Sequence, residues 1–326
     1  MNKINAVLIA VCFCLMAMPQ VFASGKKQMV VALDGSGDYT SIQEAVTACG
    51  AFPSETKEIF IKDGTYHEKV LIDSFQTNLT LVGESREHTI ITNDDHAGQP
   101  GIGTFNSYTV KITADHVTIQ NLTIENSAGE VGQAVALHVE GDYFKAVNCN
   151  ILGDQDTIYA AGQKSRQYFA DCYISGTTDF IFGASTAVFD DCTIHSKKNS
   201  YITAASTPQG NVYGYLFRNC KLTADPEVTE VYLGRPWRDY AKVVFIACEM
   251  GGHIRPEGWH NWSKPEREKT SFYAEYGNTG KGADISERVS WSHQLSKKKA
   301  KKYTLKTIFS SCSEWNLDGP KSDKNE

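Results

Sequence analysis

The chain has 326 residues, with 32 lysines and arginines against 38 aspartates and glutamates, giving a formal net charge of -6. That acidic balance gives no support for a nucleic-acid partner. The length suits one elongated domain, and no linker or shift of composition marks a second.

Residues 1–23 read as a secretory signal. Lys3 supplies the positive start, Ala6 to Met18 is mostly apolar, and Val21, Phe22 and Ala23 fill the cleavage positions. Those thirteen core residues are too few to cross a bilayer, so no membrane partner is expected. Residues 24–326 are then a single domain, exported to the periplasm or beyond and expected to act as a monomer. Cys12 and Cys14 leave with the leader, so seven of the nine cysteines stay and at least one is unpaired. Loss of Lys3 moves the net charge from -6 to -7.

Asp34 to Val46 looks like a turn leading into a short helix, with Ser41 and Glu44 spaced as a capping box. Such a helix would cover the open end of a stacked fold. Gly35 and Gly37 lack the third glycine and the βαβ context of a dinucleotide loop.

From Ile119 onward a short unit recurs: an apolar residue, two variable positions (the second usually Asn or Asp), Cys or Leu, one variable position, then an apolar residue. Its Leu/Cys position falls at Leu122, Cys149, Cys172, Cys192, Cys220 and Cys248, with gaps of 27, 23, 20, 28 and 28. Self-similarity on this scale signals a stacked array. Within each unit apolar and polar residues alternate as in a strand, and no periodic helix separates the units. The pattern predicts an all-β fold, a single-stranded parallel β-helix with a short N-terminal capping helix. The cysteines read as an internal ladder of small buried residues, with one disulfide between adjacent coils as the alternative. Cys172 and Cys192, the closest pair, are the candidates for that disulfide. No Cys or His cluster has metal-ligand spacing, so no metal or cofactor is expected. Lys297, Lys298, Lys299, Lys301 and Lys302 read as a solvated surface near the end of the chain.

Two of the cysteines set the register of two aspartates. Asp156 follows Cys149 by seven residues and Asp179 follows Cys172 by seven. Coiling with this period makes the two carboxylates neighbours, roughly 5 Å apart at the backbone, too close for both to ionise cheaply. Arg235 is the available cation to decide which one does.

Four segments in this order, Gly132–Leu137, Gly153–Tyr159, Gly176–Gly183 and Tyr232–Arg238, resemble the signature segments of the pectinesterases, carbohydrate esterases built on a right-handed parallel β-helix. The likeness extends over Gly64–Val70, Leu81–Ser85, Thr104–Val110, Ala274–Gly280 and Arg288–Trp291, thus over roughly residues 30 to 310. With no inhibitor-like pro-region ahead of the domain, the chain resembles the bacterial secreted form. The resemblance implies that Asp179 is the nucleophile and Asp156 the general acid and base. It implies hydrolysis of galacturonate methyl esters in pectin, with Gln133 and Gln155 as oxyanion donors and Arg235 holding Asp179 ionised. Thr104, Gln133, Tyr159, Phe180, Arg235 and Trp237 are the expected substrate contacts.

Two other pectin chemistries fit less well. A backbone hydrolase would need carboxylates across a glycosidic bond and no glutamine pair. A lyase would need an acidic calcium cluster. A β-helix that only binds plant polysaccharide is the remaining alternative.

Overall fold

The computed structural model describes residues 28–309 together with Trp315 and Leu317. The expected leader and Cys312 lie outside them. Each coil closes in three strands. Arg166–Ala170 lies in a first sheet, Tyr173–Gly176 in a second and Ile181–Gly183 in a third. Thr186–Asp190 then opens the next coil, parallel to Arg166–Ala170. Among the described residues the first sheet has eleven strands, the second eight and the third seven. This is the expected right-handed parallel β-helix.

The sequence gaps reappear as strand register. In the second sheet Asn150 pairs with Thr123 and with Tyr173, offsets of 27 and 23. Tyr173 pairs with Thr193, Thr193 with Lys221 and Lys221 with Glu249, offsets of 20, 28 and 28. The residue before each Leu/Cys position makes the corner between the first two sheets in a left-handed conformation. Asn121, Asn148, Asp171, Asp191 and Asn219 have φ of 51–54°. That region penalises most side chains and is most accessible to Asn and Asp, which explains their recurrence. Ala247 makes the same corner at φ 54° without that advantage.

Two ladders fill the interior. Phe169, Phe189, Phe217 and Phe245 stack with successive centroid distances of 4.6, 4.6 and 4.4 Å. Cys149, Cys172, Cys192, Cys220 and Cys248 form the second, all buried and all free thiols. The disulfide considered for Cys172 and Cys192 is therefore absent. Each thiol instead donates to backbone carbonyls, Cys172 to Ala170 at 3.3 Å and Cys192 to Asp190 at 3.4 Å. Phe217→Ala removes a ring packed on both faces and should cost about 3–5 kcal/mol in a urea titration. A loss under about 1 kcal/mol would mean that the core collapses around the gap.

The helix Ile42–Ala48 sits at the N-terminal end, with Ile42, Ala45 and Val46 buried. Ser41 caps it as expected, accepting from the Glu44 amide. The reciprocal partner differs: Glu68 accepts from the Ile42 and Gln43 amides at 2.9 and 3.0 Å and from Ser41 Oγ at 2.8 Å. At the other end, Leu295, Ala300, Ile308 and Phe309 pack on the outer face of the first sheet, over Val188, Leu216 and Val244. Lys297, Lys298, Lys299, Lys301 and Lys302 stay exposed around the buried Ala300.

Candidate active site

The turn from the second sheet to the third carries the two aspartates. The offset of 23 holds on both sides of it, Asn150 with Tyr173 before and Ile158 with Ile181 after, so Asp156 and Asp179 occupy equivalent places on adjacent coils. Both have left-handed backbones, φ 67° and 49°. The Asp156 amide donates to Thr178 O at 3.1 Å, and the Asp179 amide to Tyr201 O at 2.8 Å. One coil earlier Gln133 is bridged to Gln155, with the Ala134 amide donating to Gln155 O at 3.0 Å. Among the described residues, neither glutamine side chain hydrogen-bonds to another residue, so both amides are free to donate.

Arg235 comes from the strand Tyr232–Pro236, two coils beyond Asp179 in the third sheet. Gly234 lets that strand seat, because a Cβ there would lie 2.0 Å from Thr203 Oγ1. The Arg235 guanidinium grips Asp179 with two bonds, Nε to Oδ1 at 3.0 Å and Nη2 to Oδ2 at 2.8 Å. The Tyr201 ring (3.9 Å) and the Trp262 ring (3.8 Å) flank the guanidinium carbon. A planar cation held this way is fixed in orientation as well as charge.

Asp156 and Asp179 are 8% and 6% exposed, and burial is the largest influence on both carboxyls. Burial pushes Asp156 well above the usual carboxylate range, and the neighbouring Asp179 charge adds to the rise, against a smaller pull from Arg235. Burial also raises Asp179, but the Arg235 hydrogen bonds and charge act directly against it. Of the pair, Asp156 is therefore the one that holds a proton more readily.

Both aspartates open into a cleft of about 230 Å³, lined also by Thr104, Phe105, Gln133, Gln155, Phe182, Ala204, Arg235, Trp237 and Trp262. Tyr159 flanks it, stacked on Phe182 at 4.6 Å and tilted against Phe105 at 5.0 Å. Phe180 is a correction: it is fully buried in the interior rather than in the cleft. Gly176 lies beneath it, where a Cβ would come within 2.3 Å of Phe180 Cβ, so the ring folds inward over the bare backbone. Phe182, two residues on, takes the position facing the cleft.

The sequence reading missed Phe105, Phe182, Tyr201 and Trp262. Phe182 could have been found by carrying the register from Tyr159, with which it pairs. Trp262 lies in a loop with no repeat to place it. His138, between Lys111 and Tyr159 in the third sheet, is buried behind the cleft-flanking Tyr159 ring, 4.7 Å from it. Burial first, then the charge of Lys111, lowers its pKa to about 4.

The pectinesterase family model matches residues 28–311. The chain belongs to the pectinesterase family. Among pectinesterase relatives, Pectinesterase 31 of Arabidopsis thaliana is 38% identical over 276 residues, covering 81% of this chain and 86% of that protein. The chain spans about half the length of two other Arabidopsis relatives, probable pectinesterase/pectinesterase inhibitors 6 and 64, at 49% and 53%. Pectin methylesterase from carrot superposes with a TM-score of 0.84 at 35% identity, covering 88% of this chain and 94% of that one. A pectin methylesterase in complex with a hexasaccharide superposes at 0.76 with 30% identity, covering 90% and 98%.

Proposed function

We propose that this pectinesterase hydrolyses the methyl esters of galacturonate units in pectin through an acyl-enzyme on Asp179. The observation that carries the reading is the asymmetry of the carboxyl pair: Arg235 grips Asp179 with two bonds and makes none to Asp156. Two buried carboxyls thereby divide into one base-like and one acid-like group, as covalent ester hydrolysis requires.

An Asp179 carboxylate oxygen attacks the ester carbonyl carbon, and the carbonyl electron pair moves onto oxygen. The free side-chain amides of Gln133 and Gln155 donate to that oxyanion. As the tetrahedral centre collapses, the carbon–methoxy bond breaks and Asp156 gives its proton to the departing oxygen, releasing methanol. The Asp156 carboxylate then takes a proton from water, whose oxygen attacks the acyl carbon. Asp179 leaves as a carboxylate, Asp156 is protonated again, and the product is the free galacturonic acid, which gives its proton to solvent. Phe105, Tyr159, Phe182 and Trp237 offer the aromatic surface on which sugar rings rest. That a pectin methylesterase of this fold is found in complex with a hexasaccharide supports an oligosaccharide as the ligand.

Incubation with highly methylated pectin is the test. Methanol release with no shortening of the chain and no unsaturated ends is expected. Absence of methanol with folded wild-type protein would sink the esterase reading. Gln155→Ala should lower kcat by roughly 10²–10³-fold with little change in KM, since an oxyanion donor acts mainly in the transition state. A change confined to KM would make Gln155 a substrate-binding group instead. Export by way of the 1–23 leader belongs to the same proposal, and a mature protein not beginning at Ser24 would overturn that cleavage site.

A further inference from the structure

A second cavity, of about 480 Å³, opens on the far side of the catalytic turn. Gln155 and Asp156 line the cleft already described, whereas Gly153 and Asp154 line this one. Its floor is the outer face of the second sheet, where Glu125, Leu152, Ser175 and His195 stand in register on four successive coils. The volume falls within the range of small-molecule sites.

Ser175 lines this cavity at 6% exposure, and its hydroxyl makes no hydrogen bond among the described residues. The residue is largely covered, but its hydroxyl stays open to the cavity, where an entering hydroxyl group can meet it. The surrounding side chains narrow the chemistry of that group. The half-buried Tyr173 ring lies 5.7 Å from the His195 imidazole, which is held by Thr223 Oγ1 at 2.9 Å and Asp225 Oδ1 at 3.0 Å. Glu125 Oε2 accepts from Thr92 at 3.1 Å, while its Oε1 and the second oxygen of Asp225 accept nothing among the described residues. Lys197 is already committed, to Asp154 Oδ1 at 2.7 Å and Gly153 O at 3.1 Å. Open acceptors therefore outnumber open donors, and three carboxylates (Glu125, Asp154, Asp225) face one paired lysine. An anion is repelled here, whereas a neutral polyhydroxyl ligand can donate to the open oxygens and lay its apolar face on Tyr173.

We propose that this cavity is a second saccharide site, selective for an uncharged sugar chain. The site stands apart from the esterase reading, and only the choice of an esterified probe rests on that reading. Calorimetric titration of the chain with galactotriose tests it. A second titration uses fully methyl-esterified trigalacturonate and a chain carrying Asp179→Ala to prevent turnover. At least one of these probes should show saturable binding that is weakened about tenfold or more by Tyr173→Ala and by Ser175→Ala and that persists in Trp237→Ala, which weakens only binding in the other cleft. Galactotriose binding identifies a neutral sugar chain as the occupant, and binding of the esterified probe alone identifies esterified galacturonan. Ser175→Ala removes only the hydroxyl and carries the test if Tyr173→Ala fails to melt cooperatively. Binding that ignores Tyr173 and Ser175 for every probe that binds, no binding of either, or equally tight Tyr173-dependent binding of unesterified trigalacturonate would overturn the proposal. Methanol release by the wild type is read independently, so either idea can fail without the other.

Discussion

Asp179→Ala is expected to lower methanol release by at least roughly 10⁴-fold, because removal of a covalent nucleophile abolishes the route rather than slowing it. Pectin binding should remain measurable, since Thr104, Phe105, Phe182 and Trp237 are untouched. The substitution also strips Arg235 of its partner while Tyr201 and Trp262 still enclose the guanidinium. Some loss of stability accompanies it, and the side chain of Arg235 is 19% exposed, so water can take over part of the lost contact. Asp179→Asn keeps the shape and an acceptor for Arg235 but cannot form the acyl-enzyme. The two variants should therefore be equally inactive and differ in melting temperature. Retention of more than a few per cent of the wild-type rate by either would assign the attack to another group.

The parts of the fold that follow from local chemistry were legible in the sequence. Asn and Asp recur before the cysteines because those corners need a left-handed backbone, and that placed each coil before any pairing was known. The register of Asp156 on Asp179 followed from the same spacing. Charge and motif single out Arg235 in the sequence, and in the structure it bonds Asp179 through two nitrogens. What stayed hidden depended on which way a side chain turns within a motif already found. Phe180 and Phe182 are two residues apart and both aromatic, yet Gly176 draws the first inward. The spacing of adjacent coils also permits a disulfide, so the free-thiol ladder follows from the burial preference of cysteine and not from the spacing. Trp262 illustrates a deeper limit: it reaches Arg235 from a loop, where neither period nor capping chemistry operates.

Asp156→Asn carries the other large effect, and it separates the two carboxyls by pH. Asp179 must be ionised to attack, so the rate should rise with pH through its raised titration. Asp156 must hold a proton for methanol to leave, so the rate should fall again at higher pH as that proton is lost. The two limbs report apparent values of the interacting pair. Asp156→Asn should lower kcat by roughly 10²–10⁴-fold and erase the descending limb of the residual activity. A descending limb that survives would place the essential acid elsewhere. Stability provides an independent reading with a definite sign. Because the folded state holds the Asp156 proton to higher pH than the unfolded chain does, both states are protonated only below the ordinary aspartate value. As pH rises from there through the folded value, the unfolded chain releases its proton first and stability is lost. Asparagine removes that loss. The variant should melt above the wild type at mildly alkaline pH and lose this advantage in acid. Equal melting temperatures across the range would mean that Asp156 ionises in the folded chain as readily as in the unfolded one. In that case the burial that makes it an acid could not be the source of its role.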